Sequence, residues 1–231
     1  MNHHGAQNVD QVIKQLARRV ANAKAIALVS SVGEPGSGKS YGNLFIGSEV
    51  QKLLGTGPLT PDYLKHQLRF EPKDFPGMSK TAGNHRAVFC DEGSGEGANK
   101  MRQMGKANVD LGIDLDACRG RKQPVFWANP FRRDLTPQVL KHVTWGISWT
   151  LDHTATFWEA DGVDPMFGKE PYMRERWSVP DFPFFEDYCP DVAAEYAGMK
   201  DRHGKGWDVA SEARQERQLV EYESAIARVL R

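Results

Sequence analysis

Gly33-Glu34-Pro35-Gly36-Ser37-Gly38-Lys39-Ser40 is the stretch on which the fold turns. It fits the pattern G-x-x-x-x-G-K-[ST], which has meaning only when a buried strand precedes it and a helix follows. Both flanks comply. Residues 25–32 (AIALVSSV) are short, apolar and β-branched, as expected of a buried strand, and residues 40–54 read as a helix. The residue types have a physical reason. Glycines let the backbone curl tightly and turn its amides toward an anion, and the next helix adds unpaired N–H groups and the positive end of its dipole. Lys39 is placed to reach β- and γ-phosphates, and the Ser40 hydroxyl to ligate Mg²⁺. Gly33, Glu34, Pro35, Gly36, Ser37, Gly38, Lys39, Ser40 and Tyr41 are therefore the candidate nucleotide-binding residues.

Upstream, residues 8–23 carry Val12, Ile13, Leu16, Val20 and Ala23 at helical spacing and are expected to form an amphipathic helix on the edge of the core. Downstream, Gly55-Thr56-Gly57-Pro58 breaks the pattern. Thr60-Pro61 then marks the N-cap and first turn of a short helix through Leu68. Residues 70–83, with two prolines and two glycines, are expected to be irregular, with at most one helical turn. Residues 86–92 (RAVFCDE) place four apolar residues before two acids, the pattern of a buried parallel strand ending at a catalytic edge. Asp91 is the candidate Mg²⁺ ligand and Glu92 the candidate general base.

A Gly-rich loop at 93–97 leads to an expected helix over 98–118 with Met104, Ala107, Leu111, Leu115 and Cys118 on one face. Arg119 and Arg121 follow, and two readings of them stay open. Cations suit a helix C-terminus, and an arginine can also serve a neighbouring subunit's γ-phosphate. Residues 123–128 (QPVFWA) are a second buried strand, tipped by Asn129-Pro130. Asn129 is either a turn former or a sensor of the γ-phosphate and attacking water. Residues 142–151 and 154–160 read as a β-hairpin, and 209–230 as an amphipathic helix. Between them, from 161 to 190, prolines alternate with aromatic residues, which reads as an extended arm wrapping the core or a neighbouring protomer.

Composition sets wider bounds. Lysine and arginine (30) balance aspartate and glutamate (30), so no global basic field announces nucleic acid and any such surface must be local. Basic residues at 100–106, 119–122 and 132–133 could line one. No apolar run is long enough to span a membrane, and the first residues lack a signal peptide's pattern, so a cytoplasmic location, or a virion if the chain is viral, is expected. Three widely spaced cysteines, Cys90, Cys118 and Cys189, match no zinc or redox spacing and read as free thiols.

Together the 33–40 loop, the Asp91-Glu92 pair and Asn129 at the next strand tip resemble the additional-strand catalytic-glutamate class of P-loop ATPases. Over residues 24–150 the set resembles FtsK–HerA-type motors, including viral genome-packaging ATPases and zonular-occludens-toxin-like ATPases. That resemblance implies an α/β fold: a RecA-like P-loop NTPase core with a mostly parallel sheet flanked by helices, over 1–162, followed by a C-terminal arm and helix over 163–231. It also implies ATP and Mg²⁺ as cofactors, Lys39, Glu92 and Asn129 as catalytic groups, Arg119 or Arg121 as a trans finger, and Ser40 and Asp91 at the metal. Its expected partners are double-stranded DNA and further copies of the chain, arranged in a ring. One departure is that such motors often carry Gln where this chain has Asn129. No N-K-x-D guanine motif is present, which favours ATP over GTP. Two other functions share the loop: a small-molecule kinase, with an acceptor pocket in 55–86, and a nucleotide-gated scaffold using the aromatic arm.

Overall fold

The structure is a computed structural model that describes residues 3–22, 27–91, 106–129, 137–140, 142–160, 173–183 and 185–204. The chain divides into two compact units, Met1–Ala193 and Ala194–Arg231. The second is described over 194–204, which are helical, with Lys200 Nζ donating to the Tyr196 hydroxyl at 3.3 Å.

The first unit is built on one seven-stranded sheet. In chain order its elements are helix α1 (His3–Ala21), strand β1 (Ala27–Gly33), helix α2 (Lys39–Leu53), helix α3 (Pro61–Gln67), strand β2 (Leu68–Arg69), a 3-10 turn (Pro72–Asp74), helix α4 (Met78–Ala82), strand β3 (Val88–Cys90), helix α5 (Lys106–Gly120), strand β4 (Pro124–Asn129), helix α6 (Pro137–Leu140), strands β5 (Val143–Trp149), β6 (Ala155–Ala160) and β7 (Met173–Val179), and helix α7 (Phe185–Tyr188). The strand order is β2-β3-β4-β1-β5-β6-β7. The first five strands in that order run parallel, and β6 and β7 add antiparallel pairings at one edge.

The alternation of side chains explains the layers. Phe89, Phe126 and Ser31 face α2, where Gly47 lets the helix descend onto Phe89 and Phe126. Leu28, Val88, Cys90, Val125, Trp127 and Val143 belong to the opposite core, with Phe75, Met78, Leu111, Leu115, Cys118 and Val139. Strands buried on both faces read as continuous apolar runs, which is why β3 and β4 were legible. The mostly parallel sheet with helices on both faces is a RecA-like α/β core.

Several expectations need correction. Helix α1 begins at His3 and ends at Ala21, earlier than the 8–23 pattern suggested. Residues 68–69 form an edge strand, and 70–83 contain a 3-10 turn and a helix instead of at most one turn. That helix is held from outside: the Gly77 N–H donates to Asp114 Oδ2 at 2.6 Å, a contact no local pattern reveals. The 161–190 arm contains Met173–Val179, a strand of the sheet paired with β6 save for a bulge at Arg176. The first part of the helix expected over 98–118 (residues 98–105), the helix expected over 209–230, the 93–97 loop and Arg132–Arg133 lie outside the described residues; α5 is described from Lys106 on.

Candidate functional site

The 33–40 loop joins β1 to α2 at the carboxyl edge of the parallel strands. Gly36 and Gly38 take left-handed conformations, with φ of 83° and 84°, which only glycine adopts at no steric cost. Gly38 is the N-cap of α2, and the helix ladder begins with the Gly42 N–H donating to the Gly38 carbonyl at 2.8 Å. The first helical amides thus face the loop rather than a backbone partner. Lys39 Nζ donates to the Glu34 carbonyl at 3.2 Å, which lays the ammonium across the loop. The Ser37 N–H donates to the same carbonyl at 3.2 Å, and its hydroxyl is fully buried with no hydrogen-bond partner among the described residues.

Register brings the other candidates to this edge. Asn129, fully buried, pairs with Val32 and so stands one residue short of Gly33. Cys90 pairs with Trp127, so Asp91, the residue after β3, lies beside the end of β4. Asp91 is 7% exposed, and its N–H donates to the Arg69 carbonyl at 2.9 Å. Tyr41, in the first turn of α2, has its phenol pushed up, first by burial and then by the carboxylates of Glu186 and Asp91. Glu92 lies outside the described residues.

Arg119 and Arg121 do not join this edge. They sit just before β4, at the amino end of strands whose carboxyl ends carry the loop. Arg119 lies 3.6 Å from Asp116, and Arg121 donates to the Ser79 hydroxyl at 2.8 Å. Six residues of β4, at about 3.3 Å each, separate them from their own chain's loop.

Sequence reading missed what holds the loop in place. Trp149, at the end of β5, donates from Nε1 to Ser31 Oγ at 3.2 Å, and Ser31 Oγ donates to Asn43 Oδ1 at 2.6 Å. This buried chain ties β5 to β1 to α2 just beneath the loop. The Trp149 indole lies against Gly42 and its backbone against Gly33, so any side chain at either glycine would overlap it. Two signals were available: a Ser pair in an otherwise apolar strand, and an Asn inside a helix.

Donor chemistry fits a hard cation. Ser40 and Asp91 offer oxygen ligands only, and no group of three or more His, Cys, Asp or Glu gathers among the described residues. This suits Mg²⁺, which keeps several waters and takes further oxygens from phosphates.

No protein-family model and no curated protein matches the chain. Among solved structures it is similar to the genome packaging NTPase B204 from Sulfolobus turreted icosahedral virus 2 in complex with ATP-gammaS, at 12% identity and a TM-score of 0.41, over 67% of this chain and 98% of that one. It is similar to the N-terminal domain of zonular occludens toxin from Neisseria meningitidis, at 13% identity and 0.40, over 71% and 98%. It is also similar to a chain of the E. coli MS115-1 HORMA:CdnC:Trip13 complex, at 15% identity and 0.40, and spans 62% of that chain's length. The strand order and the loop geometry carry the fold on their own: a RecA-like α/β core with a glycine-rich loop between β1 and α2.

Proposed function

We propose that this chain is a Mg²⁺-dependent ATPase that works as a homo-oligomeric motor on double-stranded DNA. The observation that carries the ATPase reading is the position of β4 between β1 and β3, which lines up Gly33, Asn129 and Asp91 at one sheet edge. An acid ending one strand and an amide ending the next then flank a loop built for phosphates. The DNA-motor reading draws its support from the sequence resemblance.

In this reading the loop amides and the α2 N-terminus hold the α- and β-phosphates, and Lys39 reaches the β- and γ-phosphates. Ser40 and Asp91 hold Mg²⁺, which when bound neutralises charge on the β- and γ-oxygens. Asn129 orients the γ-phosphate or the attacking water. Glu92 takes that water's proton as its oxygen bonds to phosphorus, and the β–γ bridging oxygen leaves with ADP. Arg119 or Arg121, remote from its own loop, would serve a neighbouring copy's site.

The test is steady-state ATP hydrolysis with and without double-stranded DNA. The expected result is DNA-stimulated turnover, lost in Lys39→Ala and reduced about a hundredfold or more in Glu92→Gln. Turnover indifferent to DNA would remove the motor and leave the ATPase. No turnover by the wild-type chain with or without DNA would overturn both.

A further inference from the structure

The turn between β5 and β6 reaches the phosphate loop. A Cβ placed on Gly38 would lie 3.3 Å from His153 Nδ1 and 3.8 Å from its Cε1, so the imidazole occupies the space against the cap of α2. His153 comes from a hairpin far along the chain, yet its ring lies beside the glycine that precedes the motif's lysine. Its backbone is held on both sides: the N–H donates to the Thr150 carbonyl at 3.1 Å, and the carbonyl accepts from the Phe182 N–H at 3.0 Å. Thr150 and Thr154 engage the Asp152 carboxylate, so the acid beside His153 is turned back into the hairpin.

His153 has φ of 59°, a left-handed backbone in which Gly or Asn is the less strained choice. His85, Lys122 and Asp181 share this conformation among the described residues, so it is the placement of the His153 ring against Gly38 that marks the position. Imidazole suits the place chemically. It offers an N–H donor in either tautomer, and a bound polyphosphate supplies acceptor oxygens at the positive end of α2.

We infer that His153 is a further nucleotide-binding residue, donating from its imidazole to a phosphate oxygen of the nucleotide held in the 33–40 loop. The inference rests on the reading of that loop as a nucleotide site. It adds a contact supplied by a distant hairpin, locked by the Phe182 segment, to those supplied by the motif itself.

The test compares His153→Gly and His153→Asn, both at ease with the positive φ, by calorimetric titration with ATPγS and with ADP in the presence of Mg²⁺. His153→Gly is expected to weaken ATPγS binding about tenfold. His153→Asn, which restores a donor near the Nδ1 position, is expected to recover most of that loss. Equal unfolding temperatures for both variants and the wild type would place the effect in binding rather than in folding. Wild-type affinity in His153→Gly would overturn the assignment alone. His153→Asn as weak as His153→Gly would overturn the donor role and leave the ring a packing element. A wild-type chain that binds neither nucleotide would overturn the nucleotide-site reading, and this assignment with it.

Discussion

Gly42 shows how single residues set the loop. Replacing a helical glycine by alanine ordinarily stabilises by up to about 1 kcal/mol. Here the new Cβ would fall 2.0 Å from Cη2 of Trp149, an indole that cannot swing away without breaking its bond to Ser31. Overpacking of this kind costs about 1–3 kcal/mol, so the clash wins. Gly42→Ala is expected to lower stability by about 1–2 kcal/mol in urea unfolding. If it works as an ATPase, its KM for ATP should also rise. The shape of the 33–40 loop was legible because its demands are local: glycines at positive φ and a helix cap at a set spacing. Trp149, Asn43 and His153 were not, because what makes them matter is a partner far away in sequence.

Among the elements, α2 is the one that everything else grips. On its inner face Gln51 Oε1 accepts from Gln67 Nε2 at 2.9 Å and from the Ala87 N–H at 3.2 Å, joining α2 to α3 and to the start of β3. On another face Tyr41 and Phe45 meet Phe185, Phe182 and Tyr188, so the segment after β7 closes over the helix. Gln51→Leu keeps the volume and strands the buried Ala87 N–H, while Gln67 Nε2 retains the Ala87 carbonyl as an acceptor. It is expected to cost roughly 1–3 kcal/mol, read as a lower urea midpoint with an unchanged slope. Helices and strands with strong patterns were foreseen nearly to the residue, as with β4 at Pro124–Asn129 and the Thr60 cap of α3, whose hydroxyl accepts from the Tyr63 N–H. Strand β7 escaped because its sequence (MRERWSV) carries weak alternation within a proline- and aromatic-rich stretch. Its identity comes from backbone pairing with β6.

At the scale of the whole molecule, burial couples folding to pH. Cys118 lies in the α5 core, and desolvation pushes its thiol up from 9.0 to about 12, with Ser79 and Arg121 opposing and Asp114 adding to the rise. A raised folded-state value means that the native thiol keeps its proton where the unfolded thiol releases it. Its contribution is fully present below pH 9 and is lost as pH rises from 9 toward 12, at up to about 1.4 kcal/mol per unit. Cys118→Ala is expected to be less stable at pH 7 yet to show a flatter decline between pH 9 and 10.5 in urea unfolding. The sequence by itself determined the glycine-rich 33–40 loop, the strand and helix on either side of it, and the acid and amide at the ends of two later strands. Each of those follows from local sterics, dipoles and apolar periodicity. Only the tertiary structure decided that β4 lies between β1 and β3, that β7 completes the sheet, that Arg119 and Arg121 stand at the opposite edge from their own loop, and that Trp149 and His153 pack against its glycines. Those relations are pairings between distant segments, and the packing of the whole chain selects them where no local pattern can.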